Sequence, residues 1–248
     1  MTFLDPVLNP VLALGPFWAI FIISLIISLI IIVVYKFFTN QAEMKRLKEE
    51  QKESQKRMKE LRDKPEEMMK VQKEAMKKNF EYMKHSLKAT LITILPIILL
   101  FGWMNAHLAY EPIFPGETYS ITAVFKEGVT GEAELIADDG TELSSPAKQP
   151  IAESVTWNLK STAGEHFLTV QSGSTAQSKK VLITEKLAYE EPFMLYQHSD
   201  VEQIKINYNK MRPLGEFEFF GWHPGWLSLY IILSIVFSLG LRKIFKVY

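Results

Sequence analysis

Three stretches of 16 to 22 residues are nearly free of charged side chains, close to the length needed to cross a hydrocarbon core roughly 30 Å thick. They run from Phe17 to Phe38, from Ala89 to Leu108 and from Trp226 to Leu241. Runs this long read as membrane-spanning helices. The third, at 1.5 Å per residue, reaches only about 24 Å and is expected to need local thinning or snorkelling at its inner end. Pro96 near the middle of the second removes a backbone hydrogen bond and is expected to kink it.

The balance of 28 basic and 28 acidic residues hides a separation by segment. Between the first two spans there are about 15 basic and about 10 acidic residues, and between the second and third about 9 and about 17. Lys36, Lys45, Arg46 and Lys48 follow the first span, and Arg242, Lys243 and Lys246 follow the third, whereas only Asp5 is charged before Phe17. Lys and Arg gather on the cytoplasmic side of spans. The N-terminus is therefore expected outside, the first connecting segment in the cytosol, the acidic segment outside and the C-terminus inside, in the cell (plasma) membrane. The first span lacks a basic leader and a small-residue cleavage site, so it reads as a retained span rather than a signal peptide.

The spans carry few polar groups. Ser24 and Ser28 lie four residues apart on one face of the first, Ser234 and Ser238 repeat that spacing in the third, and Thr90 and Thr93 sit near the inner end of the second. Small hydroxyl residues let helices approach closely and bond back to their own backbones. The functional reading is that these six converge on a weakly polar groove open toward the cytosol.

In the first connecting segment, Met44, Leu47, Gln51, Ser54, Met58 and Leu61 step by three and four, as a coiled-coil seam requires. Asp63-Lys64-Pro65 breaks the series, because a residue before proline is pushed out of the helical region. A second series, Met69, Gln72, Met76, Asn79/Phe80, Met83 and Leu87, returns to the membrane, and the pair reads as an antiparallel hairpin. Its methionines either fill the seam or form a flexible apolar surface that meets hydrophobic client segments; on the second reading Met58, Met69, Met76 and Met83 carry capture.

Beyond Tyr110 the pattern changes to period two. Strands are expected at Tyr119–Phe125, Gly131–Ala137, Ser154–Leu159, Glu165–Gln171 and Lys179–Thr184, with another at Gln203–Tyr208. Short strands with turns about every ten residues suggest an immunoglobulin-like sandwich with Trp157 as its large core residue. With no cysteine in the chain, it has to fold without a disulfide.

No phosphate-binding glycine loop, HExxH or GxSxG occurs, the five histidines are scattered, and no Asp or Glu lies inside a span. An enzyme, a metal or other cofactor, and energised transport are not expected, and no catalytic residue is assigned.

The order of these elements resembles the archaeal YidC-like membrane proteins of the YidC/Oxa/Get/EMC insertase superfamily. The residues carrying the resemblance are YKFFTNQAEMKRLKEEQKESQKRMKEL after the first span, LKATLITILPIILLFGWMN in the second and GWHPGWLSLYIILSIVFSLGLRKIFKV in the third. It implies a non-enzymatic, ATP-independent insertase that guides nascent or tail-anchored hydrophobic membrane proteins into the lipid bilayer; the basic excess of the hairpin also suits anionic lipid or the RNA of a ribosome. Bacterial members carry an arginine in the groove, and none lies within the three spans as bounded here.

The expected fold is membrane α-helical, with three transmembrane helices and a cytosolic antiparallel coiled-coil hairpin, plus an extracytoplasmic all-β immunoglobulin-like sandwich between the second and third spans. Residues 1–38 form the N-out segment and first transmembrane helix, 39–88 the hairpin, 89–110 the second transmembrane helix, 111–219 the β-sandwich with its return segment, and 220–248 the third transmembrane helix and basic tail. The rival is a membrane-anchored surface-sensing receptor or scaffold, its sandwich bound to an unidentified external partner.

Overall fold

The computed structural model describes residues 4–218 and 221–247. The boundary expected at Phe219 and Phe220, and the terminal Tyr248, lie outside the described residues. The chain divides into two compact units, one formed by residues up to Pro16 with Trp103–Trp226, the other by Phe17–Gly102 with the residues from Leu227 onward.

The helical unit is built on α2 (Pro16–Phe38), α3 (Gln41–Glu60), α4 (Pro65–Leu108) and α5 (Trp226–Phe245). Of these, α2, α4 and α5 are long and apolar enough to cross a membrane. α2 has no interior proline or glycine to interrupt it, and ends where Thr39 Oγ1 and Gln41 Nε2 both donate to the Tyr35 carbonyl, at 2.6 and 2.9 Å, adding to the backbone bond from Thr39 N at 3.2 Å. Asn40 then caps α3, its Oδ1 accepting from Glu43 N at 3.2 Å. Glu43 lies in the first turn of α3 and Arg57 and Lys59 in the last, each placed to favour the helix dipole.

The break at Asp63-Lys64-Pro65 falls where it was expected, and Pro65 opens the next helix at the position where a missing N–H costs least. The returning helix and the second span are one element: α4 runs for 44 residues, about 66 Å, without interruption. Pro96 is held within it, and helical structure continues on both sides. α5 is longer than the sequence suggested. Its 20 residues extend about 30 Å to Phe245, so Arg242 and Lys243 lie inside its last turn, beyond the apolar run that ends at Leu241.

The three spanning helices differ in burial. The most apolar window of α2 is 39% buried, against 28% for α4 and 11% for α5. The buried face of α2 carries Ile20, Ile23, Ser24, Ile27 and Ser28, while Ile231, Ile232, Ile235, Val236 and Leu239 leave α5 apolar and open. Open apolar faces suit hydrocarbon as solvent. Edge-to-face ring pairs join α2 to α5 through Phe21 and Phe237 (5.0 Å) and α4 to α5 through Phe101 and Tyr230 (4.7 Å). Tyr35 and Thr90 share a 2.8 Å hydrogen bond between α2 and α4.

Among its described residues the other unit opens with the short helix α1 (Asp5–Leu12) and then holds nine strands, β1 (Thr118–Phe125), β2 (Glu132–Ala137), β3 (Thr141–Leu143), β4 (Lys148–Pro150), β5 (Ser154–Ser161), β6 (Gly164–Ser172), β7 (Thr175–Ile183), β8 (Phe193–Leu195) and β9 (Val201–Ile206). They form a five-stranded sheet in the order β3-β5-β1-β9-β8 and a four-stranded sheet in the order β4-β2-β6-β7, with every strand pair antiparallel. Strict alternation along β1 and β5 sends Ile121, Ala123, Trp157 and Leu159 inward, to a buried cluster shared with Leu135, Val170 and Val181 of the other sheet. Trp157 is fully buried, its indole N–H donating to the Ala147 carbonyl at 2.9 Å. β7 begins at Thr175 rather than Lys179, because the two-residue turn Gly173-Ser174 pairs Ser172 with Thr175; Gly173 takes φ +55°, which glycine adopts at little cost.

Candidate functional site

On α5 the residues Tyr230, Ser234, Ser238 and Arg242 recur every four positions, so they fall on one face of a helix that, apart from Ser228 and Lys243 near its ends, is otherwise apolar. All four line a cavity of about 420 Å³ that also includes Ser28 and Ile31 of α2. Three of the six hydroxyl residues read from the sequence therefore meet here: Ser28, Ser234 and Ser238. The Ser234 hydroxyl donates to the Ile231 carbonyl at 2.9 Å. The cavity owes its room to these short side chains, set between the larger Tyr230 and Leu239.

The other three lie elsewhere. Ser24 is buried in α2 and donates to its own helix at the Ile20 carbonyl, 2.6 Å away. Thr90 bonds to Tyr35 and to the Ser86 carbonyl, and the buried Thr93 donates to the Thr90 carbonyl at 2.8 Å. These hydroxyls have the bonding that the packing reading describes. The structure thus divides the six between an open α2–α5 cavity, where Ser234 also bonds to its own helix, and side chains bonded in or between α2 and α4.

At one end of the cavity the Arg242 guanidinium carbon stands 5.6 Å from the centre of the Tyr35 ring, and Lys36 lies 5.6 Å from that of Phe245. Sequence reasoning placed Arg242 beyond the third span. The longer helix brings it into the polar face, and the fourfold spacing onward from Ser234 and Ser238 was the signal that could have found both it and Tyr230.

The hairpin differs from expectation by one residue of phase. On α3, Met44, Leu47 and Ser54 are buried, with Gln51, Met58 and Leu61 half-buried, as the first series proposes. On α4 the covered positions are Met68, Val71, Ala75, Lys78 and Tyr82, while every member of the expected second series, from Met69 to Leu87, is exposed. Lys78 forms an ion pair with Glu50 at 3.3 Å, and Gln51 donates to Asn79 Oδ1 at 3.3 Å. Met69, Met76 and Met83 are 55 to 66% exposed, and with Phe80 and Leu87 they make an open apolar stripe along one face. Met58, half-buried on α3, borders the stripe at Met76, where the two line a gap of about 320 Å³ whose other walls include Gln51, Gln55 and Gln72. Among the described residues no group of three or more His, Cys, Asp or Glu is placed to hold a metal ion.

A family model described as integral membrane protein EMC3/TMCO1-like matches residues 1–130, just over half the chain, from the N-terminus through α4 and β1. No curated protein matches the chain, and no solved structure does. Three helices able to span a bilayer and a β-rich region after the first two accompany that match. The chain belongs to the EMC3/TMCO1-like family of integral membrane proteins, part of the Oxa1/YidC/EMC insertase superfamily, and that membership suggests a role in membrane-protein insertion or biogenesis.

Proposed function

We propose that this protein is an ATP-independent insertase, akin to the archaeal YidC-like proteins, that guides hydrophobic segments from the cytosol into the bilayer by way of the α2–α5 cavity. The observation that carries the proposal is the row Tyr230, Ser234, Ser238 and Arg242 beside Ser28, on a helix whose open face is apolar. A charged side chain near the bilayer centre costs roughly 2.5–3.5 kcal/mol on insertion scales. Hydroxyls and water at intermediate depth, with one fixed cation at the inner end, lower that cost for a client's polar flank, while the open face of α5 lets its apolar part pass sideways into lipid. The protein acts as a non-enzymatic guide and needs no cofactor.

In this reading the N-terminus faces outward across the plasma membrane. The α3–α4 hairpin works in the cytosol as a coiled coil, and the β domain stands outside as an immunoglobulin-like sandwich inserted before the third span. The domain limits proposed from the sequence serve as its parts. Met69, Met76 and Met83 receive nascent or tail-anchored clients, with Phe80 and Leu87 extending the surface toward the membrane and Met58 at its margin. Methionine suits that task because it adapts to varied apolar shapes. The excess of basic residues in the hairpin also suits a ribosome that delivers clients.

The test is insertion of a short-tailed client into liposomes holding the purified protein. Converting Ser28, Ser234 and Ser238 to valine lowers the protease-protected fraction several-fold; unchanged insertion by a folded variant removes the cavity from the mechanism.

A further inference from the structure

The β-bearing unit contains a larger cavity, of about 920 Å³, outside the machinery described above. One wall is α1 with Asp5 and Asn9, another is the end of α4 with His107, and the third is the loop carrying Glu185 and Lys186. Asp5 is 7% exposed; its Oδ1 accepts from the Trp103 indole N–H at 2.9 Å and lies 3.7 Å from His107 Nε2. His107 in turn stacks on Trp103 and donates from Nδ1 to the Trp103 carbonyl at 2.9 Å. The third wall is equally fixed: the Tyr189 hydroxyl donates to the Asn105 carbonyl and accepts from Ala109 N. The site is thus built before any ligand arrives.

We infer that this cavity binds a zwitterionic phospholipid whose headgroup ends in a primary amine. Depth is set by the chain itself, since Pro16 in the wall is the first residue of α2 and His107 lies in the last turn of α4, at one end of each spanning helix. That is the level of headgroups. Both signs of charge line the space, with Asp5 and Glu185 for a cation and Lys186 for a phosphate, while Leu12, Pro16 and Leu187 offer an apolar path for the chains. An ammonium group has three N–H donors for carboxylates. A quaternary amine has none and needs several aromatic faces of the Phe, Tyr or Trp kind, of which Tyr189 is the one among the described lining residues. A purely anionic head would meet two carboxylates for one lysine. The volume falls within the range of about 300–1,000 Å³ usual for ligand pockets.

Native mass spectrometry of the full chain, offered equal amounts of phosphatidylethanolamine, phosphatidylcholine and phosphatidylglycerol with matched chains, tests this. The wild type retains the ethanolamine lipid about tenfold over the others. Asp5→Asn keeps an acceptor for Trp103 while removing the charge, and Ala106→Phe, at an exposed lining position, narrows the space; each lowers that retention about fivefold or more. Equal retention of the three lipids by the wild type overturns the proposal, as does a preference that survives Ala106→Phe in a folded protein. Full displacement by soluble phosphoethanolamine at millimolar concentration overturns the assignment to a lipid.

Discussion

The Arg242 guanidinium lies over the Tyr35 ring, 5.6 Å from its centre, so α5 carries a cation that α2 holds in place. A partly desolvated pair of this kind is worth roughly 0.5–2 kcal/mol. Arg242→Gln is expected to lower insertion of a client with an acidic residue in its short tail about three- to tenfold, and that of a neutral-tailed client less. Arg242→Lys falls between, because the charge stays and the planar stacking is lost. Protease protection in liposomes measures both clients, and equal loss for the two tails contradicts a role for the charge.

The exposed stripe of α4 predicts a separable capture defect. Burying one methionine side chain in a client contact contributes roughly 1.5–3 kcal/mol. Changing Met69, Met76 and Met83 together to glutamine should lower crosslinking between the hairpin and an apolar client segment at least about fivefold, while leucine at the same places preserves it. Helicity by circular dichroism stays unchanged in both, since the three side chains are 55 to 66% exposed and Met76 only edges the gap between α3 and α4.

Much of this was legible in the sequence, and the misses have physical causes. The spans, the Pro65 break and the inward alternation of β1 and β5 follow from local patterning that neighbours reinforce. The seam on α4 was read one residue out of phase, because a methionine- and lysine-rich helix offers Met69-Gln72-Met76 and Met68-Val71-Ala75 as equally regular stripes, and only packing against α3 chooses between them. β3, β4 and β8, at three residues each, are too short to show a period and exist through pairing with longer strands. Asp5 and Trp103 are 98 positions apart, and no local pattern announces their bond. In α5, ending the span at the first cation hid Arg242 from the site.

In the β domain Trp157 fills the shared core without help from a disulfide. Trp157→Ala leaves a cavity and costs about 3–5 kcal/mol, a large part of a small domain's stability. Limited proteolysis of the full chain should then cut rapidly between residues 111 and 218. Phe167→Ala, at a position 54% exposed, leaves the pattern as in the wild type.

Asp138 gives the domain an acid-sensitive anchor. Burial alone would raise its carboxyl, but hydrogen bonds from Phe167 N (2.8 Å), His166 Nδ1 (2.9 Å) and Thr141 Oγ1 (3.3 Å), with the His166 charge, hold it below the usual carboxylate range. Such a group contributes stability that is present above its unfolded value, about 3.9, and is lost as pH falls through the folded value. Asp138→Asn should therefore lower the domain's melting temperature at pH 6 and flatten its decline below pH 4, followed by tryptophan fluorescence. An unaltered acid slope contradicts the anchor.

The account rests most directly on water reaching the α2–α5 cavity from the cytosol. Because the chain has no cysteine, single cysteines can be placed at Ser28, Ser234 and Ser238, and at Ile232 and Val236 on the open apolar face of α5. In inside-out membrane vesicles, a membrane-impermeant thiol reagent is predicted to label the three cavity positions and to spare Ile232→Cys and Val236→Cys. Equal protection of all five positions would contradict a wet, inward-opening cavity and the insertase mechanism built on it.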